Sequence, residues 1–174
     1  GKTTLAKSIA NALNRKFTKI SVGGINDEGE IVGHRRTYVG ANPGKIIQGL
    51  KKVKVTNPVF LIDEIDKLTK DYKGDPASAL LDILDSEQNV HFVDNYIEEE
   101  YDLSNVMFIL TGNDESKIPD ALKDRLEIIN IDSYTFIDKE EIAKKYIVPK
   151  LNIEYDMDLK FNDKNIKEII LNYT

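Results

Sequence analysis

Four apolar residues in succession, Val59-Phe60-Leu61-Ile62, run directly into two adjacent carboxylates, Asp63 and Glu64. An unbroken apolar run is how a strand buried on both faces of a parallel sheet reads, and such a sheet needs helices on both sides. Catalytic carboxylates belong at the carboxyl end of such a strand, where open α/β sheets bind their ligands. A second apolar run at 106–110 supplies a neighbouring strand that ends in Thr111-Gly112-Asn113. The expected fold class is therefore α/β, a parallel sheet with flanking helices.

The chain opens on Gly1-Lys2-Thr3-Thr4. Gly-Lys-[Ser/Thr] is the tail of a phosphate-binding loop, in which backbone N–H groups and a helix N-terminus cradle phosphate. The Lys reaches the β and γ phosphates and the hydroxyl binds Mg²⁺. A bare triplet of this kind turns up by chance in roughly one chain in ten of this length, so alone it decides little. Its partnership with Asp63-Glu64, with room between for a helix, a strand and another helix, is what makes it informative.

Composition narrows the field. With 174 residues, 41% hydrophobic and 31% charged, the chain can bury a proper core in one domain and part of a second. Its net charge of -6 argues against a chain whose main work is gripping a phosphate backbone nonspecifically. The cluster Lys45, Lys51, Lys52 and Lys54 reads as a solvated helix end. The absence of Cys removes disulfides and thiolate metal sites, and no apolar run approaches the ~18 residues of a membrane span.

Helical spacing of Leu5, Ile9, Ala12 and Leu13 predicts a helix over 3–13, placing Lys2 and Thr3 on its first turn. Residues 17–22 read as a strand, 25–44 as irregular, and Ile46, Ile47 and Leu50 as a helix ending near Val53. Asp75-Pro76 opens a helix with its cap visible. A short hairpin is expected over 90–101, a short helix over 120–125 and a further strand over 128–131. From Asp132-Ser133 onward the pattern is helical: Asp138 is the expected cap of a helix that Pro149 stops, and Asp163 that of another. Strands alternate with helices up to 132 and only helices follow, which sets a boundary between 1–132 and 133–174.

Transfer of a γ-phosphoryl group to water needs positioned charge and an oriented nucleophile. Lys2 would neutralise the β and γ phosphates, and Thr3 with Asp63 would hold Mg²⁺, Asp63 acting through water. Glu64 would act as general base. Asn113 would hydrogen-bond the attacking water or the γ-phosphate. Arg125 either pairs with a neighbour such as Asp124 or Glu127 or, in a ring of subunits, reaches the ATP of the next one. The stretch 34–40 joins a basic cluster to Tyr38 and Val39 in a Gly-bounded loop. There, either Tyr38 packs locally or a mobile aromatic loop grips another chain. His34 and His91 have no supporting ligands for a metal.

The ordered runs Gly1-Lys2-Thr3, Gly23-Gly24-Ile25-Asn26-Asp27-Glu28-Gly29, Gly33-His34-Arg35-Arg36-Thr37-Tyr38-Val39-Gly40, Asp63-Glu64-Ile65-Asp66-Lys67 and Gly74-Asp75-Pro76-Ala77-Ser78-Ala79 closely resemble the AAA+ domain of the Lon proteases. The resemblance covers nearly all of the first 150 residues. It implies a P-loop NTPase domain followed by the start of a small helical lid. It also implies a motor that uses ATP and Mg²⁺, assembled as a homohexameric ring that threads unfolded or damaged proteins into a Ser-Lys peptidase chamber. An AAA+ remodeller acting on nucleic acid is the alternative. By matching position, Gly1, Lys2, Thr3 and Thr4 bind nucleotide, Asp63 and Glu64 form the Walker B pair, and Asn113 is sensor 1. Arg125 is the arginine finger and Tyr38-Val39 the substrate-gripping loop. Residues 70–74 resemble a second such loop, and Tyr134 and Ile142 are candidates for adenine contact. The family's upstream Gly-Pro-Pro-Gly-Val segment, the sensor 2 arginine and the peptidase dyad are not in this sequence. The chain by itself is therefore expected to bind nucleotide poorly and to cleave no peptide bond. Residues 8–15 and 21–24 look more like mitochondrial than bacterial Lon, so the expected compartment is the mitochondrial matrix, with a bacterial-type cytoplasm as the alternative.

Overall fold

The computed structural model describes residues 1–68 and 74–173. Three parallel strands form its sheet: β1 (Phe17–Ser21), β2 (Val59–Asp63) and β5 (Met107–Thr111), in the order β1-β2-β5. The register pairs Ser21 with Asp63 and Asp63 with Thr111, so all three strands end together at one carboxyl edge. The central strand has the apolar run, and its Val59, Phe60, Leu61 and Ile62 are fully buried. Successive residues face opposite sides. Phe60 and Ile62 join a core with Ile46 and Leu50 of α3 (Lys45–Val53) and Leu80 and Ile83 of α4 (Pro76–Leu84). On the other face α1 (Lys2–Ala12) packs against β2 and β5, burying Ala6 and Ala10.

The Phe60 ring stands 5.7 Å from that of Phe108. Truncating Phe60 to Ala removes a fully buried aromatic from the centre of the sheet and should cost about 3–5 kcal/mol. Chemical denaturation would measure the loss, and a cost under about 1 kcal/mol would mean that β2 is not the packing centre.

The sequence reading holds for most elements, and its departures have physical causes. Within 25–44 a single helical turn forms, α2 (Gly29–Val32). The hairpin at 90–101 is present but short: β3 (Phe92–Val93) pairs antiparallel with β4 (Glu100–Tyr101). Helix α5 spans Asp120–Lys123. The strand expected at 128–131 is not there. Those residues pair with neither sheet edge, and Ile128, Ile129 and Ile131 are exposed. A β-branched composition favours extended backbone but makes a strand only where a ladder partner exists.

Contacts divide the chain into two compact units, Gly1–Ile128 and Ile129–Thr174. The second is helical: α6 (Phe136–Ile142), a π-helical turn at Ala143–Ile147, α7 (Val148–Tyr155) and α8 (Asp163–Tyr173). The cap of α6 is Thr135, not Asp138. Asp138 sits at the third helical position, and the two exchange bonds as a capping box, Asp138 N–H to Thr135 Oγ1 at 3.2 Å and Thr135 N–H to Asp138 Oδ2 at 2.9 Å. Pro149 does not stop the helical run. It lies in the first turn of α7, where its missing N–H does little harm, and the preceding π turn absorbs the change in bonding. At α8 the side chain of Asn162, rather than Asp163, accepts the Asn165 N–H at 2.8 Å. Among the described residues no helix is long and apolar enough to cross a membrane.

Candidate functional site

The carboxyl edge of the sheet brings the key side chains together. Lys2, on the first turn of α1, donates to the Asn113 side-chain oxygen at 2.6 Å and to the Gly112 carbonyl just beyond β5. Asp63 lies between two neighbours on the adjacent strands. Thr111 Oγ1 donates to its Oδ1 at 2.5 Å, and Lys19 Nζ pairs with its Oδ2 at 2.5 Å. Burial alone would raise the Asp63 carboxyl, but the bonds from Lys19 and Thr111 outweigh it and hold the group below its ordinary value.

Glu64 follows in a left-handed conformation, with φ of 66°, which turns its side chain off the line of β2. Ser21 Oγ donates to Oε2 at 2.8 Å and Lys67 Nζ donates to Oε1. These two bonds, that from Lys67 first, hold the Glu64 carboxyl below its usual range. A lysine, an amide and two carboxylates thus share the carboxyl edge of the sheet, each with a defined partner.

Sequence reasoning missed Lys19, Ser21 and Lys67. For Lys19 and Ser21 the signal was polar residues at alternate positions of β1, but their target depends on the register that sets Ser21 beside Asp63; for Lys67 it was the i,i+3 spacing from Glu64. Gly1, Thr3 and Thr4 stand at the start of α1, where helical N–H groups lack intrahelical partners. Arg125 is not brought to this edge. Its Nε pairs with Asp85 Oδ2 at 3.5 Å, and its Nη1 donates to the Ala121 carbonyl at 3.1 Å. The intrachain partner is therefore Asp85 rather than Asp124 or Glu127. Tyr38 and Val39 sit at the tip of their loop, 65% and 107% exposed, so Tyr38 does not pack locally. The loop expected at 70–74 lies outside the described residues except for Gly74. In the second unit Tyr134 and Ile142 line an apolar groove of about 390 Å³ with Leu151, Phe161 and Ile166.

The two histidines pair with carboxylates, His34 with Asp27 at 3.1 Å and His91 with Glu100 at 3.0 Å. Among the described residues no group of three or more His, Cys, Asp or Glu is placed to hold a metal. A hard cation that keeps most of its waters and leans on one carboxylate and a hydroxyl needs no such cage, and the Asp63 and Thr3 oxygens suit Mg²⁺ in kind.

The family description "ATPase family associated with various cellular activities (AAA)" matches residues 1–133. The chain belongs to the AAA family of ATPases. Over its whole length this AAA chain is similar to Lon proteases. It is 59% identical to the Lon protease of Malacoplasma penetrans (strain HF-2), 57% to Lon protease 1 of Bacillus subtilis (strain 168) and 56% to the Lon protease of Cytophaga hutchinsonii. In each comparison all of this chain is covered, but it spans only 22–23% of the relative's length. The AAA chain thus aligns with one segment of each of these Lon proteases. These relatives are bacterial, and the mitochondrial reading of residues 8–15 and 21–24 is not supported.

Proposed function

We propose that this chain is the ATP-hydrolysing motor segment of a Lon-type protease, coupling hydrolysis to the unfolding and translocation of protein substrates into a peptidase chamber carried elsewhere in the protein. The whole-length similarity to Lon proteases carries this reading. Residues 1–132 are its nucleotide-binding part and 133–174 the start of a helical lid whose Tyr134 and Ile142 contact adenine.

Gly1, Lys2, Thr3 and Thr4 hold the triphosphate. Lys2, already aimed at Asn113, neutralises the β and γ phosphates. Asp63 and Thr3 would hold a Mg²⁺ ion, which supplies charge neutralisation on the phosphate oxygens when bound. Glu64 takes the proton of the attacking water, and Asn113 orients that water or the γ-phosphate. Arg125 serves a neighbouring subunit in a homohexameric ring. Remodelling of nucleic acid is not favoured, since the chain is acidic and its exposed aromatic tip suits a polypeptide. The compartment proposed is the bacterial cytoplasm.

The threading role is tested with Tyr38→Ala in the full-length protein. ATP hydrolysis should persist while degradation of a stably folded substrate falls about tenfold or more, the scale of losing an aromatic anchor. Undiminished degradation would remove the grip from Tyr38.

A further inference from the structure

Asp94 is a carboxylate with only 1% of its surface exposed. It sits where the chain leaves β3, in a stretch of acidic residues that otherwise faces water. Burying a carboxylate is costly unless donors fill its lone pairs. Here the donors are backbone N–H groups. Oδ1 accepts from Tyr96 at 2.9 Å and Ile97 at 3.1 Å, which closes the local turn. Oδ2 accepts from Gly44 at 2.7 Å, a residue 50 positions earlier in the chain.

Gly44 and Gly33 are the two feet of the loop that carries Tyr38 and Val39. A Cβ on Gly33 would stand 2.5 Å from Asp94 Oδ1, and its φ of 88° is one that L side chains rarely adopt. A Cβ on Gly44 would stand 2.5 Å from the Gly33 nitrogen, so the feet touch each other as well as the carboxylate. Asn95 adds two bonds to the same foot, its N–H to the Val32 carbonyl at 2.7 Å and its side-chain amide to the Gly33 carbonyl at 3.1 Å. Above the feet, Arg36 donates to the Tyr96 carbonyl at 2.5 Å and the Ile97 carbonyl at 3.2 Å, with its guanidinium 5.3 Å from the Tyr96 ring centre. The tip is exposed while its base is fastened at three places to one turn.

We propose that Asp94 is a positioning residue for the Tyr38-Val39 tip: it bonds the Gly44 foot of the 33–44 loop to the 94–97 turn and packs against the Gly33 foot, which Asn95 bonds, so that loop and turn move as one body when the tip bears load. The proposal rests on the reading of that tip as the polypeptide grip. A loop held only by its own backbone would yield before a folded substrate did, whereas a pinned loop passes the force to the hairpin and the core beneath it.

Asp94→Asn isolates the pin. The isostere keeps an oxygen for Tyr96 and Ile97 but sets an NH₂ group against the Gly44 N–H, donor against donor. Arg36→Met cuts the second attachment from an exposed position and leaves the buried carboxylate alone. In the full-length protein, both variants should speed amide exchange at 34–43 and at 95–97 together, by about tenfold for loss of one charge-assisted bond. ATP hydrolysis without substrate should stay at the wild-type rate. For a stably folded substrate kcat of degradation should fall about fivefold or more with KM little changed, and an unfolded substrate should be degraded near normally. Acceleration confined to 95–97, or folded substrate degraded at the wild-type rate, overturns the proposal. If Asp94→Asn fails to fold, Arg36→Met decides alone. If Tyr38→Ala blocks degradation while both pin variants degrade normally, the pin fails and the grip stands. If Tyr38→Ala degrades normally, the grip itself is wrong.

Discussion

Replacing Glu64 with Gln is expected to slow steady-state ATP hydrolysis by about a hundred- to ten-thousandfold, the contribution of a positioned general base, while ATP stays bound. The substitution is close to isosteric. Its amide oxygen can still accept from Lys67, and its NH₂ can donate to Ser21, so the local contacts seen for Glu64 survive in form. What is lost is the ability to take a proton from water. The wild-type side chain rests with one oxygen on Ser21 and the other on Lys67, which keeps it ionised but occupied. If Glu64 is the base, turnover requires that at least one of these bonds give way to the water. Rapid-quench measurement of hydrolysis together with nucleotide retention on the full-length protein checks this. A rate within about twofold of wild type, with nucleotide exchanging normally, would show that Glu64 is not the base.

Much of this site was legible because its residues obey local rules. Val59 to Ile62 could only be a strand covered on both sides, and a strand so buried fixes where Asp63 and Glu64 emerge. Lys2 and Thr3 followed from a helix whose period is visible in Leu5, Ile9 and Leu13. The parts that escaped depend on pairing, which a single sequence does not display. Lys19 reads as an ordinary strand residue until the register sets β1 beside β2 and brings its ammonium to Asp63. The β-branched run at 128–131 has strand composition and no ladder partner. Asp94 is the sharpest case: in a stretch containing Glu98, Glu99 and Glu100 it reads as one more solvated acid, yet in its buried place two N–H groups of its own turn and a third from Gly44, 50 positions away, converge on it. Pro149 misled for the opposite reason. The rule that proline ends a helix is sound, but a π turn just ahead converts a stop into a restart.

Replacing Arg125 with Ala is expected to reduce ATP hydrolysis in the assembled protein by about a thousandfold or more, as loss of an arginine finger does, and to leave ATP binding intact. The argument begins with where Arg125 is. Its guanidinium is fastened to Asp85 at the end of α4 and to the Ala121 carbonyl. Among the described residues no hydrogen bond or ion pair joins it to Lys2, Asp63, Glu64 or Asn113. A cis role in the same subunit thus has no contact to build on, whereas a trans role needs only that the side chain be presented at the surface by a fixed helix end. The Asp85 pair is partly exposed and of the kind worth about 0–1 kcal/mol, so a triphosphate on a neighbouring subunit can outcompete it. Mixing separates the alternatives. Arg125→Ala subunits keep Glu64, and Glu64→Gln subunits keep Arg125, so a ring containing both regains complete sites wherever the first kind meets the Arg125 of the second. Restored hydrolysis on mixing two inactive variants requires action across the interface. If mixed rings stay as inactive as either parent, or if Arg125→Ala fails to bind ATP, the arginine acts within its own subunit and the trans assignment falls.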